Sequence, residues 1–536
     1  MKNNSIVSDI QEGKTTLGIE FGSTRIKAVL LDASLNPIAQ GSFTWESSLE
    51  NGHWTYSMDA VRNGLQTAYA NLANTLEASY GIVPSAIGCI GISAMMHGYL
   101  ALDDDGNLLV PFRTWRDTTT AQAAEELTRL FSFNIPQRWS IAHYCQAFLD
   151  GEPHVRKIAR LTTLAGLVHS MLSDTHVLGL DDASGMFPVD PETNQYDARM
   201  LAAFDARFPE APHPIQSLLP KPLPAGAAAG TLTAQGARLL DPTGTLRPGI
   251  PLCPPEGDAG TGMVATGSVA PRTGNVSAGT SIFAMLVLEK PLDGIYPEID
   301  IVHTPDGAPV AMVHCNNCSG ELDTWVRLFA DFASDLLGIS LPPDEIYARL
   351  YRCSLQSTPN AAAFTPVNYV AGEGVTHFDA GIPLLLRDFS APASLPDFMR
   401  SHLYATFATL RLGLDILEPE KIRIDRLFAH GGLFKTPGVA QAYLAAATRS
   451  PVSVMQTAGE GGPYGMAILA AYRLHCMDTA QPLPLFEFLR QTVFSSATVS
   501  TLEPDPAICT GFDRFLQRFK AALSVERSAV QTSLFS

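Results

Sequence analysis

The opening of the chain alternates apolar runs of strand length with short polar turns. Residues 15–20, 26–31 and 36–44 read as three strands of a meander, the first two joined by a turn of Gly22, Ser23 and Thr24. A helical pattern follows. With Asp59 as the expected N-cap, Val61, Leu65, Ala68, Leu72 and Leu76 recur at three- and four-residue steps until Gly81 and Pro84 interrupt them. Residues 87–92 form a continuous apolar run, expected as a buried strand, that leads into Ser93-Ala94-Met95-Met96-His97-Gly98. Helices are expected over 118–131 and 155–173. The stretch 209–256 is rich in Pro, Gly and Ala and has no sustained period, so it reads as extended connections near a domain boundary.

The pattern then restarts. A second apolar hairpin spans 274–288 around Gly279, Thr280 and Ser281, followed by a strand near 309–313 and a helix around 320–336. Leu403, Phe407, Leu410, Leu414 and Leu417 mark another helical face, and the strand Leu427-Phe428-Ala429-His430 feeds Gly431-Gly432. Meander, helix, strand, in both halves, predicts mixed α/β lobes rather than one doubly wound parallel sheet.

Composition narrows this picture. At 536 residues the chain exceeds what one core usually serves, so two domains are expected, 1–266 and 267–536. Apolar residues at 46% and charged residues at 17% suit a well-buried protein and exclude a disordered one. A net charge of −17 offers no electrostatic footprint for nucleic acid or an anionic membrane, so an anionic ligand has to be gripped locally. No apolar signal segment opens the chain and no run of 18 apolar residues occurs, which points to a cytoplasmic protein. Eight scattered cysteines are expected as thiols, and Cys315 and Cys318 form a CxxC without a second pair at ligand spacing.

The two hairpins carry the chemistry. Each turn combines glycine with hydroxyls, presenting backbone N–H groups and Ser23, Thr24, Thr280 and Ser281 to a polyphosphate, although a Gly-Ser-Thr turn is also an ordinary way to close a hairpin. Two in matching positions suggest a nucleotide clamp, closed by two lobes around a cleft. Glu20 ends the first strand where it faces bound phosphate and can hold Mg²⁺ directly or through water; an acid there can equally be solvated. Asp258 stands in Glu256-Gly257-Asp258-Ala259-Gly260, at the start of an expected helix that favours its ionised form, and is either a base for a substrate hydroxyl or a simple N-cap. Gly431-Gly432 and Gly461-Gly462 let a flat nucleoside approach the backbone, or allow close packing. Met96 and His97 with Trp115, Arg116 and Asp117 supply the planar polar groups and aromatic wall that hold a neutral sugar, though a lone His or a surface ion pair has a structural reading too.

Taken in order, these segments resemble the FGGY carbohydrate kinase family over nearly the whole chain. GIEFGSTRIK resembles its first phosphate loop, SAMMHG and PFRTWRD its sugar segments, and EGDAGTGMVATG the segment of its catalytic base. SAGTSIF is similar to the second phosphate loop, and HGGLFKTPGVAQAYLAAATRSPV and GEGGPYGMAILAAY to the adenosine segments. The resemblance implies two actin-like, ribonuclease-H-like ATPase lobes flanking a cleft. It implies ATP- and Mg²⁺-dependent phosphorylation of a free sugar hydroxyl, most often that of a ketose such as xylulose or ribulose. Asp258 would be the base, and Glu20 with Asp258 would hold the metal. ATP would lie against Gly22, Ser23, Thr24, Lys27, Gly279, Thr280, Ser281, Gly431, Gly432, Gly461 and Gly462. Met96, His97, Trp115, Arg116 and Asp117 would bind the sugar. The expected partners are the sugar and ATP, with no nucleic acid and no membrane, and a homodimer as an open option.

Three positions depart from the family pattern: Glu20 replaces its Asp, Trp115-Arg116-Asp117-Thr118-Thr119 its Trp-Asn-Asp-x-Arg, and Ala259 the Asn of xylulokinase-type members. Two alternatives stay open, a catalytically weakened regulator on the same scaffold and a polyol kinase of the glycerol type.

Overall fold

Two sheets carry the chain, and the second repeats the strand order of the first. In a computed structural model, which describes residues 2–455 and 461–532, the first sheet runs Pro37–Thr44, Arg25–Leu31, Thr16–Phe21, Cys89–Ala94, Glu256–Gly257. Thr16–Phe21 is antiparallel to Arg25–Leu31 and parallel to Cys89–Ala94, which is parallel to Glu256–Gly257. In the second sheet the same order and directions return as Pro309–Cys315, Ile282–Val287, Thr273–Ala278, Arg426–His430, Val452–Met455. Ile299–His303 and Val499–Leu502 extend its two edges.

Thr16–Phe21 and Ile282–Val287 are covered on both faces, so their side chains are apolar almost without alternation. Leu17, Ile19 and Phe21 are fully buried, and Glu20 alone in that strand keeps some exposure. One helix follows the fifth strand of each sheet, Asp258–Thr266 in the first lobe and Gly461–Asp478 in the second. These two helices lie against each other so closely that a Cβ on Gly465 would stand 2.0 Å from the carbonyl oxygen of Thr261. The second helix also seats on the first sheet, where a Cβ on Gly18 would fall 2.1 Å from the carbonyl oxygen of Pro463. A helix late in sequence thus forms a layer of the first lobe.

Several expected elements shift. The helix expected from Asp59 is Met58–Tyr80, and its cap is Ser57, whose extended backbone lets the hydroxyl accept from the Ala60 N–H; Asp59 lies in the first turn. The helix expected over 155–173 is only Leu164–Ser173, capped by Thr163, because Arg160–Thr162 pairs as a strand with Leu100–Leu102. Within 209–256 the chain forms a helix, Ala234–Leu240, and returns to the first sheet, where the Cys253 N–H donates to the Ile90 carbonyl. Helices Ser140–Leu149 and Pro506–Gln531 were not foreseen. Among the described residues no helix is long and apolar enough to cross a membrane. All eight cysteines are free, with Cys315 and Cys318 buried.

Candidate active site

Asp258 is the first residue of the helix Asp258–Thr266, which opens directly from the short strand Glu256–Gly257. The Met96 N–H, at the end of the neighbouring strand, donates to Asp258 Oδ1 at 3.2 Å. Water reaches the carboxylate from the cleft, while protein surrounds it on its other sides. That burial raises its pKa to about 6, against the backbone N–H groups of Met96, Asp258 and Ala259, which favour the ionised form. A carboxylate so placed is poised to exchange a proton near neutrality.

Glu20 faces it across a cavity of about 160 Å³ that Gly461, Gly462, Asn275 and His430 also line. Burial foremost, then the charge of Asp258, push Glu20 up to about 7, while Lys27, directly opposite on the partner strand, works the other way. The Glu20 carboxylate makes no hydrogen bond to the described residues, and the Gly462 backbone crowds it. Two adjacent carboxylates without a cationic partner in the cavity fit a hard divalent cation that keeps waters and phosphate oxygens as its other ligands. No group of three or more protein ligands for a metal occurs among the described residues. A larger hollow of about 310 Å³ lies elsewhere, against Tyr56 and Leu108–Phe112, and contains neither carboxylate.

The two hairpin turns are fixed by their surroundings. Tyr56 donates to the Ser23 carbonyl and the Trp45 indole to the Gly22 carbonyl, each at 2.7 Å. In the second turn the Ser319 and Cys318 N–H groups donate to the carbonyls of Gly279 and Thr280, leaving the Gly279-Thr280 edge exposed. Gly431, at φ 110°, brings the following turn against this hairpin, where a Cβ would fall 2.1 Å from the Ala278 carbonyl oxygen. Gly432 is exposed, and Gly461 and Gly462 open the long helix; Gly459 and Glu460 of the same segment lie outside the described residues.

The sugar candidates are spread over a wider shell. Met96 packs on Gly257 beside Asp258. His97, at φ 69°, is buried with Nδ1 3.2 Å from the Gly185 carbonyl oxygen, and burial with the nearby Arg138 lowers its pKa to about 3, so the imidazole is neutral. The Trp115 indole donates to Ser23 Oγ at 3.3 Å, tying this segment to the first phosphate turn. Arg116 stacks over the Trp54 ring at 4.1 Å. Asp117 is bound by His53 and by the N–H and hydroxyl of Thr119.

Other groups of the site escape sequence reasoning. Asp181 Oδ2 accepts from the Gly260 N–H at 3.0 Å, and Glu256 Oε2 accepts from the Asp181 N–H at 3.1 Å, forming a buried carboxyl cluster behind Asp258. Burial raises the pKa of Asp181, Asp182 and Glu256, with their mutual repulsion contributing to Asp181 and Glu256. Arg138 pairs with Asp300 across the lobes, beside His97. Asp181, Asp182, Arg138 and Asp300 belong to no local motif with diagnostic spacing, and Glu256, although it stands in the segment of Asp258, takes no role from it.

Residues 15–264 match the model of the FGGY family of carbohydrate kinases, N-terminal domain, and residues 274–474 that of its C-terminal domain. The chain belongs to the FGGY family of carbohydrate kinases. FGGY members are ATP-dependent phosphotransferases acting on sugars, and the duplicated sheets are their two actin-like lobes. A xylulose kinase of Lactococcus lactis is 22% identical over 482 residues, covering 87% of this chain and 89% of its own. The crystal structure of xylulose kinase from Rhodospirillum rubrum superposes with a TM-score of 0.76 at 19% identity, over 95% of this chain and 98% of the other. Gluconate kinase from Lactobacillus acidophilus superposes with a TM-score of 0.75 at 14% identity, over 97% and 99%. These structural likenesses show the shared fold.

Proposed function

We propose that this FGGY kinase phosphorylates a ketopentose, with xylulose as the first candidate and ribulose the second, in the cytoplasm. The observation that carries the chemistry is the placement of Asp258 and Glu20 in one cavity between two phosphate-type hairpins. The sugar hydroxyl oxygen attacks the γ-phosphorus of ATP, its proton passes to Asp258, and the bond to the β,γ-bridging oxygen breaks to release ADP. Glu20 and Asp258 would hold Mg²⁺, which would supply positive charge against the charge that develops on the phosphates. The turns Gly22 to Thr24 and Gly279 to Ser281 grip the phosphates with Lys27 nearby, and Gly431, Gly432, Gly461 and Gly462 flank the nucleoside. Met96 and His97 stand nearest the reacting hydroxyl; Trp115, Arg116 and Asp117 shape the outer wall.

Ketopentose specificity is supported by the Lactococcus lactis xylulose kinase, aligned over 87% of this chain. An ADP-release screen over xylulose, ribulose, gluconate and glycerol tests it. Stimulation by a ketopentose is expected. Preference for gluconate or glycerol would overturn the substrate, and retained ATP binding without stimulation by any sugar would make the protein a regulator on this scaffold.

A further inference from the structure

The cavity presents a charge problem. A transferring phosphoryl group there meets two carboxylates, Glu20 and Asp258, and among the described residues no Lys or Arg lines the cavity. Among the described residues, the only other titratable side chain that lines it is His430. His430 is the last residue of the strand Arg426–His430, in register with Ser277, two residues before Gly279 of the second turn. The tight packing of Gly431 on Ala278 holds it there.

Its hydrogen bonding fixes which nitrogen is available. Asn275 Nδ2 donates one N–H to the Gly262 carbonyl at 3.1 Å and shares the other between Thr266 Oγ1 at 3.2 Å and His430 Nε2 at 3.4 Å. The Gly262 carbonyl can only accept, so the amide nitrogen must face it, and Nε2 next to that nitrogen is an acceptor. The proton of the neutral imidazole is therefore on Nδ1, which makes no hydrogen bond to any described residue although the ring lines the cavity. The base helix, through Gly262 and Thr266, thus orients a donor contributed by the opposite lobe.

We propose that His430 is a substrate-contacting catalytic residue whose Nδ1–H donates to a nonbridging oxygen of the phosphoryl group in transfer. This rests on the kinase reading above. A donor aimed at charge that develops in the transition state acts on kcat more than on KM.

The test uses the full-length enzyme with MgATP and the sugar that best stimulates ADP release. Asparagine places an amide donor near the position of Nδ1, and glutamine near that of Nε2. His430→Ala is expected to lower kcat by about 100-fold or more with little change in KM for ATP, His430→Asn to recover much of the loss, and His430→Gln to recover little. His430→Ala and His430→Asn both at wild-type kcat would overturn the proposal. Recovery by Gln but not Asn would overturn it too, as would a loss confined to KM. Should the alanine variant fail to fold, the Asn and Gln pair decides by the same criteria. A wild-type enzyme unresponsive to every sugar would instead overturn the kinase reading on which this one stands.

Discussion

Gly462 and Glu20 share space that only a glycine leaves open: a Cβ at position 462 would fall 1.6 Å from Glu20 Oε2. The second lobe's long helix therefore begins where the first lobe's first strand, Thr16–Phe21, presents its one acid, and the two residues set each other's position.

Gly462→Ala is accordingly expected to push the Glu20 carboxylate aside while leaving the helix intact. The flexible end of Glu20 yields before the backbone does, so thermal stability should change little, whereas a displacement near 1 Å costs on the order of a hundredfold in kcat. Kinetics at increasing Mg²⁺ check this. Wild-type rate and Mg²⁺ dependence in the variant would show that the position of Glu20 is immaterial.

Activity should rise with pH. As the proposed base, Asp258 has to be ionised to take a proton, and with its pKa at about 6, kcat/KM is expected to fall as pH drops through that value. Stability runs the other way. A raised carboxyl pKa means that the folded state binds more protons than the unfolded one between roughly pH 4 and 6, so folding weakens as pH rises through that window. Asp258→Asn should thus abolish sugar-dependent ADP release yet melt higher than wild type at pH 7, with the advantage vanishing below about pH 4. A melting temperature unchanged at pH 7 would contradict the burial argument.

Asp181 steadies the helix start that carries Asp258, the proposed base, without lining the cavity. Asp181→Ala leaves the Gly260 N–H unpaired in the interior, at a cost of about 1–3 kcal/mol, and frees the helix start that carries Asp258. Lower melting temperature together with reduced kcat and unchanged ATP affinity is expected, measurable by calorimetry and nucleotide titration. Full kcat in a destabilised variant would confine Asp181 to packing.

Between the lobes, Arg138→Ala strands Asp300 in a mostly buried position, which costs about 3 kcal/mol. Adding Asp300→Asn should recover a large part of that loss, since the neutral amide needs no counter-charge. Denaturant unfolding of the single and double variants measures the coupling, and additive losses would show that the pair contributes nothing.

The duplicated hairpins were legible in sequence because Gly-Ser-Thr turns between apolar runs carry a local code, and Asp258 was legible because a carboxylate opening a glycine-rich helix does too. Other parts were not. In Ser140–Leu149 eight consecutive residues from Ser140 to Ala147 are buried, so no amphipathic period exists to be read. Asp181, Arg138 and His430 acquire their surroundings only through contacts distant in sequence, Asp181 with Gly260, Arg138 with Asp300 and His430 with Asn275. The cap at Ser57 was displaced to Asp59 because both residue types cap helices, and the extended backbone of Ser57 decides between them.

The seat of the helix Gly461–Asp478 on Gly18 bears on how the chain is made. A strand completed within the first two dozen residues receives its covering layer from residues synthesised more than four hundred positions later. During translation the first lobe waits with that apolar face uncovered until residues 461–478 have left the ribosome. Emergence of that helix, rather than completion of the first lobe's own sheet, sets the moment at which the first lobe closes.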